Sequence, residues 1–318
     1  MGKAIPHHFQ GGHSLLGHGI EVFWDVTVAP LSDTLKGAVL MLGAMAGFVF
    51  NDAFMRVVLE DLPLPQSVFL RGLMLTLILA FLAWHRGVLW FKAAPRDRWR
   101  IRLRSVAETV GTFFFLSALQ RLPFANISAI MQVIPLAVTL GAAVFLGAPI
   151  GWRRIGAILV GFAGVLLVVR PGTDGFNAAS LLVLCVVGIV VVRDLASRVL
   201  SADIPSVTVS LHASVMLAVV NGVILFGQEW VAVSLWQWAC LLGAASVLTV
   251  GYICSVAAMR VGDIATIAPI RYTALLWSIL IGYLFFAETP DGWTLVGSAI
   301  IVAMGVFSFY RERKLVRA

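Results

Sequence analysis

Apolar residues run through this chain in long blocks, separated by short clusters of Arg, Asp, Glu, Pro and Gly. A hydrocarbon core about 30 Å thick takes roughly 20 consecutive apolar residues in a helix. Blocks of that size fall at 35–58, 66–85, 105–120, 124–146, 154–170, 178–198, 206–227, 236–258, 264–287 and 293–310. The pattern predicts an all-α integral membrane protein with ten transmembrane helices. Two of the blocks carry charge before they end. NDAFMRVVLEDLP (51–63) brings Asn51 and Asp52 into the first, and RDLASRVLSADIP (193–205) repeats its shape in the sixth. The two segments pair Asp52 with Asp194, Arg56 with Arg198, Asp61 with Asp203 and Pro63 with Pro205.

The duplication continues along the chain. GTFFFLSALQRLPFANISAI from Gly111 aligns with GYICSVAAMRVGDIATIAPI from Gly251, and Gly151-Trp152 aligns with Gly292-Trp293. Each half then holds five helices, and an odd number forces the second half to enter the bilayer from the opposite side. The expected architecture is two inverted five-helix repeats, an arrangement from which many secondary transporters build two alternately open states around a midplane site. The boundaries read as a cytoplasmic tail over 1–34, a first repeat over 35–172 and a second over 173–318 that ends in a short basic tail.

Composition agrees with the block pattern: 60% of residues are hydrophobic and 12% charged, where a soluble domain has about a quarter charged. A net charge of +7 points to nucleic acid in a soluble protein, but here its placement decides the reading. Of the 23 Lys and Arg, Arg56, Arg121 and Arg170 fall opposite the N-terminus, Arg71 and Arg271 fall within helices, and the rest lie on the N-terminal side. Loops rich in Lys and Arg stay cytoplasmic, so both termini are expected inside, in the inner membrane, with no nucleic-acid partner. Cys185, Cys240 and Cys254 sit in apolar runs and imply no disulfide framework. The first 34 residues lack the pattern of a secretory signal. Their His7, His8, His13 and His18 match no closed metal-site spacing, so no metal and no cofactor are expected.

The segments ALQRLPFANISAI and AAMRVGDIATIAPI, with GWRRIGAILVGFAGVLLVVRPG closing the first half and AETPDGWTLVGSAIIVAMGV the second, resemble the drug/metabolite transporter superfamily. The likeness is to its ten-helix members built of two EamA-type domains. FNDAFMR followed by FLRG looks most like the branch holding S-adenosylmethionine uptake carriers, with riboflavin and amino-acid carriers as relatives. The resemblance implies a secondary transporter of a small organic metabolite, moved by alternating access without a cofactor.

Ionisable residues inside a membrane are costly and line a water path or pair with one another. Asp52, Arg56 and Arg71 are expected near the outer mouth. By inversion Asp194, Arg198 and His212 form the matching group at the inner mouth, because Leu211-His212 stands where Leu70-Arg71 stands in the first half. Both groups are gate candidates; the alternative is static pins that hold helix hairpins together. Glu108 has no acidic counterpart in the second half and is the coupling candidate for a proton; the alternative is a structural pair with Arg104 or Arg271. Arg271 replaces the neutral Met131 of the first repeat, and its guanidinium suits a carboxylate or phosphate. With Tyr272 and Trp277 it makes the expected substrate-binding group, which favours a zwitterionic or anionic solute. Pro135 and Pro269 are expected to interrupt their helices and free carbonyls beside a cavity.

Two other function classes stand beside the carrier reading. A membrane-embedded transferase needs paired acidic metal ligands or an activated Ser or Cys, and no such setting is found, so no catalytic residue is expected. A helical sensor or assembly subunit needs no path through the membrane. Direct use of ATP is not indicated, since no Walker-type glycine loop is present. The expected partners are the bilayer, a small-molecule substrate and a proton as coupling ion, in a monomer or homodimer.

Overall fold

The computed structural model describes residues 33–89, 93–173, 176–201, 203–261 and 267–316. The four tail histidines lie outside the described residues. The helices are α1 (Asp33–Asp61), α2 (Leu64–His85), α3 (Pro95–Leu119), α4 (Phe124–Met131), α5 (Ile134–Leu146) and α6 (Trp152–Val169) in the first half. The second half has α7 (Ala179–Arg198), α8 (Ser206–Leu225), α9 (Leu235–Val261), a 3-10 turn (Ala268–Tyr272), α10 (Thr273–Phe286) and α11 (Gly292–Val316). No strand occurs among the described residues. Proline sets several of the starts: Pro63, Pro123 and Pro205 precede α2, α4 and α8, and Pro95 opens α3. At a helix start the missing N–H costs nothing and the fixed φ already suits the helix.

Nine segments among the described residues are long and apolar enough to cross a bilayer, counting Phe124–Leu146 and Pro269–Phe286 as one each. The block expected at 105–120 lies in α3, which at 25 residues is long enough. Its first turns, however, carry Arg96, Arg98, Arg100, Arg102 and Arg104, which set it apart from the nine by composition.

The two interrupted segments break where the prolines stand. Pro135 cannot donate to the Met131 carbonyl and its ring crowds that carbonyl, so α4 stops at Met131 and α5 restarts at Ile134. Pro269 falls in the 3-10 turn that precedes α10. Gln132 and Tyr272, equivalent positions in the two repeats, meet at this level: the Gln132 side chain donates to the Tyr272 carbonyl at 3.2 Å.

Packing follows the same exchange symmetry. α1 packs on α9, and its repeat-equivalent, α3 on α7, does the same. α2 faces α8 and α6 faces α11, each helix against its own counterpart, while α10 on α1 mirrors α5 on α7. Small residues allow this closeness, since without a hydrophobic drive helices in lipid associate by packing. A Cβ on Gly164 of α6 would lie 2.9 Å from the Gly297 carbonyl of α11.

The helix ends form two unlike surfaces. At the acidic end, buried Gln66 donates to the Val231 carbonyl at 2.7 Å and accepts from the Val231 N–H at 3.1 Å, and Arg170 pairs with Asp291. At the basic end, the Ser201 hydroxyl donates to Asp97 at 2.7 Å and Arg100 donates to Asp97 at 3.1 Å and to the Val199 carbonyl. This ties the start of α3 to the end of α7. The Ser201 hydroxyl, with Arg100 beside it, holds the Asp97 carboxyl below its usual value. A depressed carboxyl contributes stability above its unfolded pKa and loses it as the pH falls through the folded one. Ser201→Ala is therefore expected to lower the melting temperature in detergent at neutral pH, with the gap to wild type closing as the pH drops below about 4. A gap that stays constant with pH would remove the ionised Asp97 from the account.

Candidate functional site

The charges carried into the helices converge on the axis of the bundle, where α1, α2, α3, α7 and α9 meet. Towards the acidic end, Arg71 of α2 and Asn51 of α1 are 5% and 4% exposed. Arg71 Nη1 donates to Asn51 Oδ1 at 3.2 Å, and Asn51 Nδ2 donates to Asp52 Oδ1 at 2.9 Å. Further along, Glu108 Oε2 of α3 lies 3.3 Å from Arg193 Nη1 of α7 and 3.9 Å from Arg104 Nη2. Arg193 also holds its neighbour Asp194 at 3.0 Å, and Arg104 Nε donates to Ser197 Oγ at 3.1 Å. Tyr252 of α9 lies within electrostatic reach of Glu108, and Arg271 of Asp194. The result is a column of guanidinium and carboxylate groups running along the axis, to which both repeats contribute.

A cavity of about 40 Å³ opens within this column, lined by Arg71 and Leu75 of α2, Arg104, Glu108 and Thr112 of α3, and Tyr252 of α9, with α8 closing it through Ser210, Ala213 and Ser214. Two cationic residues and one carboxylate face it, so its wall is net positive. Arg71 Nε and Arg104 Nη1 are buried and have no hydrogen-bond partner among the described residues.

The expected residues divide among several places. Asp52 and Arg71 are linked through Asn51, but Arg56 leaves them. It pairs with Glu288 at 2.5 Å, and its guanidinium stacks 4.7 Å from the ring centre of Phe286 and 5.2 Å from that of Phe124. The expected inner group of Asp194, Arg198 and His212 is not assembled. Asp194 turns to Arg193, whereas Arg198 and His212 are exposed, His212 Nδ1 lying 2.9 Å from the Thr208 carbonyl of its own helix. The cause is a register shift of one residue between the Asp52/Asp194 and Arg71/His212 alignments. One residue turns a helix by about 100°, so Ala213 faces the cavity opposite Arg71 and His212 faces out. Arg271 is exposed, whereas Tyr272 is buried with its hydroxyl against Gly305 of α11 and Trp277 packs against the apolar cluster of Met41, Ala44, Met45, Ala258 and Ile267. These three side chains do not form one wall.

Arg193, Tyr252 and Asn51 are the site residues that sequence reasoning missed, whereas the Arg104–Glu108 pair is the alternative it named for Glu108. Arg193 stands near the end of an apolar run and reads there as a loop charge. A signal is present: Arg193 aligns with Asn51, each next to its Asp.

The EamA-like transporter family matches residues 35–170 and 177–310 of the chain. A riboflavin transporter of Rhizobium johnstonii is 26% identical over 69% of this chain and 72% of its own. The pseudopaline exporter CntI of Pseudomonas aeruginosa is 27% identical over 85% of this chain and 95% of its own. An S-adenosylmethionine uptake transporter of Rickettsia felis is 27% identical over 60% of this chain and 65% of its own. A protein of known crystal structure superposes with a TM-score of 0.61 at 18% identity, covering 88% of this chain and 99% of that one. It shares the fold.

Proposed function

Since the chain belongs to the EamA-like transporter family and is a multi-pass small-molecule transporter, we propose that it is a secondary carrier, and not an enzyme, that moves an anionic or zwitterionic metabolite by alternating access. The observation that carries this reading is the charged column: three arginines (Arg71, Arg104, Arg193) and three carboxylates (Asp52, Glu108, Asp194), buried or half-buried along the bundle axis and drawn from both repeats. A static bundle gains little from so much buried charge, because buried ion pairs seldom stabilise more than apolar packing does. A path that must be hydrated and remade in each cycle needs it.

In this reading the units 35–172 and 173–318, five crossings each, rock about the Gln132–Tyr272 contact, and α3 crosses as the tenth helix. The basic end faces the cytoplasm of a bacterial-type inner membrane, as the Lys and Arg distribution favours, and both termini lie there. The relatives include a riboflavin transporter, a pseudopaline exporter and S-adenosylmethionine uptake transporters. Metabolites of these kinds form the substrate panel for this chain.

Proton coupling is assigned to Asp52 in preference to Glu108. Glu108 is engaged by two guanidinium groups, while Asp52 has Asn51 as its hydrogen-bond partner and no ion pair among the described residues. In proteoliposomes, wild-type protein is expected to exchange a labelled substrate in counterflow and to accumulate it under an imposed pH gradient. Asp52→Asn is expected to keep counterflow and lose the gradient-driven accumulation at least tenfold. Undiminished accumulation by Asp52→Asn would move coupling elsewhere, and absence of counterflow across the panel would remove the carrier reading.

A further inference from the structure

The axial cavity has two features that together identify what it holds. The first is a pair of unanswered donors. Arg71 is 5% exposed, Nη1 of its guanidinium is committed to Asn51, and Nε is buried with no partner among the described residues. Arg104 commits Nε to Ser197 and Nη2 to Glu108, and its Nη1 is likewise buried without one. A buried guanidinium N–H left unpaired is costly, and two of them on residues that line one cavity define a place for an acceptor. The second feature is size. At about 40 Å³ the space takes a group of a few heavy atoms, well below the roughly 300 Å³ at which sites for whole metabolites begin. The committed nitrogens fix both guanidinium groups in orientation. The carboxylate on the same wall, Glu108, is already taken up by Arg193 and Arg104.

We propose that this cavity is the seat of the solute's anionic group, a carboxylate or phosphate accepting from Arg71 Nε and Arg104 Nη1 at once, with Ser210 and Thr112 as further hydroxyl donors. The assignment rests on the carrier reading given above and names the part of the substrate that the site selects. It takes the anion-binding role away from Arg271, which is exposed and lies at Asp194. The remainder of the solute occupies space that opens only when the halves separate.

Matched pairs of compounds that differ in one anionic group provide the test: riboflavin against riboflavin 5′-phosphate, and S-adenosylmethionine and methionine against their carboxyl methyl esters. Binding is read by thermal unfolding of the full-length protein in detergent, and exchange by counterflow in proteoliposomes. At least one anion-bearing member is expected to bind with an affinity at least tenfold above its neutralised partner. Arg71→Lys and Arg104→Lys are each expected to cost that compound tenfold or more, because an ammonium keeps the charge but cannot reproduce the fixed fork. Exposed Arg98→Lys should change nothing. Equal binding of both members of every pair, binding by neither, or unchanged affinity in both lysine variants would overturn the site. Exchange separates the two claims: selective binding of an anion without any counterflow counts against the carrier reading and leaves the site standing. Counterflow of a neutral compound, untouched by either lysine variant, does the reverse.

Discussion

Arg193→Gln is expected to remove much of the folded, monodisperse protein from a detergent extract, at a cost of at most about 3 kcal/mol, the low end of the penalty for breaking a fully buried ion pair, since this one is half-buried. Arg193 is the cation that serves two carboxylates, at 3.3 Å from Glu108 and 3.0 Å from Asp194. Without it Glu108 keeps only the longer 3.9 Å contact to Arg104, in the part of α3 that packs on α7. The loss comes from the charge left behind and not from a contact removed, so a second change separates the two. Arg193→Met combined with Glu108→Leu removes cation and carboxylate together, and apolar side chains of similar volume in place of a buried pair are often neutral or stabilising. The double variant is expected to recover part of the lost yield and melting temperature, Asp194 being left without its cation, while counterflow stays absent. Size-exclusion yield and thermal unfolding of the two variants decide the matter: a single variant that folds as well as wild type would show that water reaches Glu108 freely, and a double variant that still fails to fold would make the pair a packing element.

Much of this fold is legible in the sequence because the bilayer imposes a length. A helix must hold about 20 apolar residues to cross, proline marks where several helices begin, and the breaks at Met131 and in the Ala268–Tyr272 turn fall beside Pro135 and Pro269. α3 is less clear, since the arginines of its first turns read equally as loop charge. The axial site is legible in part. A carboxylate inside an apolar run is conspicuous, so Asp52, Asp194 and Glu108 stand out. An arginine near the end of such a run does not, because the same residue is what topology requires at a cytoplasmic boundary, and this hides Arg193, while Arg104 shows only through its spacing of four from Glu108. Orientation about the helix axis was lost for a different reason. The match of Leu70-Arg71 with Leu211-His212 stands one residue off the register that pairs Asp52 with Asp194 and Pro63 with Pro205, and that register puts Ala213, not His212, at the cavity wall. Pairings between distant segments, such as Arg56 with Glu288, follow only once the fold has placed α10 against α1 and α4.

That last pair leads to the second large expected effect. Arg56 reaches Glu288 at 2.5 Å beside the stacked rings of Phe124 and Phe286, and Glu288 Oε2 also accepts the Phe124 N–H at 2.8 Å. One carboxylate thus ties α1, α4 and the end of α10 together at the acidic end. The other end has no copy of it. Gly147 and Ala287 are equivalent left-handed caps, closing onto Ala142 and Gly282 in the same way, and the residue after each cap is Ala148 in the first repeat and Glu288 in the second. Arg198, the counterpart of Arg56, is exposed and makes no ion pair among the described residues. A tie present at one end only must bias the carrier towards the state in which that end is closed. Glu288→Gln is expected to weaken the bias by about 1–3 kcal/mol, a shift of roughly 5–150-fold in the ratio of the two states, with Arg56→Lys acting in the same direction through lost stacking. Spin labels at Glu60→Cys and Trp293→Cys, with Cys185, Cys240 and Cys254 replaced by Ala, report the separation of α1 from α11 at this end. The wild-type distances are expected to centre on the closed arrangement and those of Glu288→Gln to gain a longer population. Superimposable distributions would reduce the Arg56–Glu288 pair to a fixed brace, and the one-sidedness of the repeat would then have no bearing on which way the carrier rests.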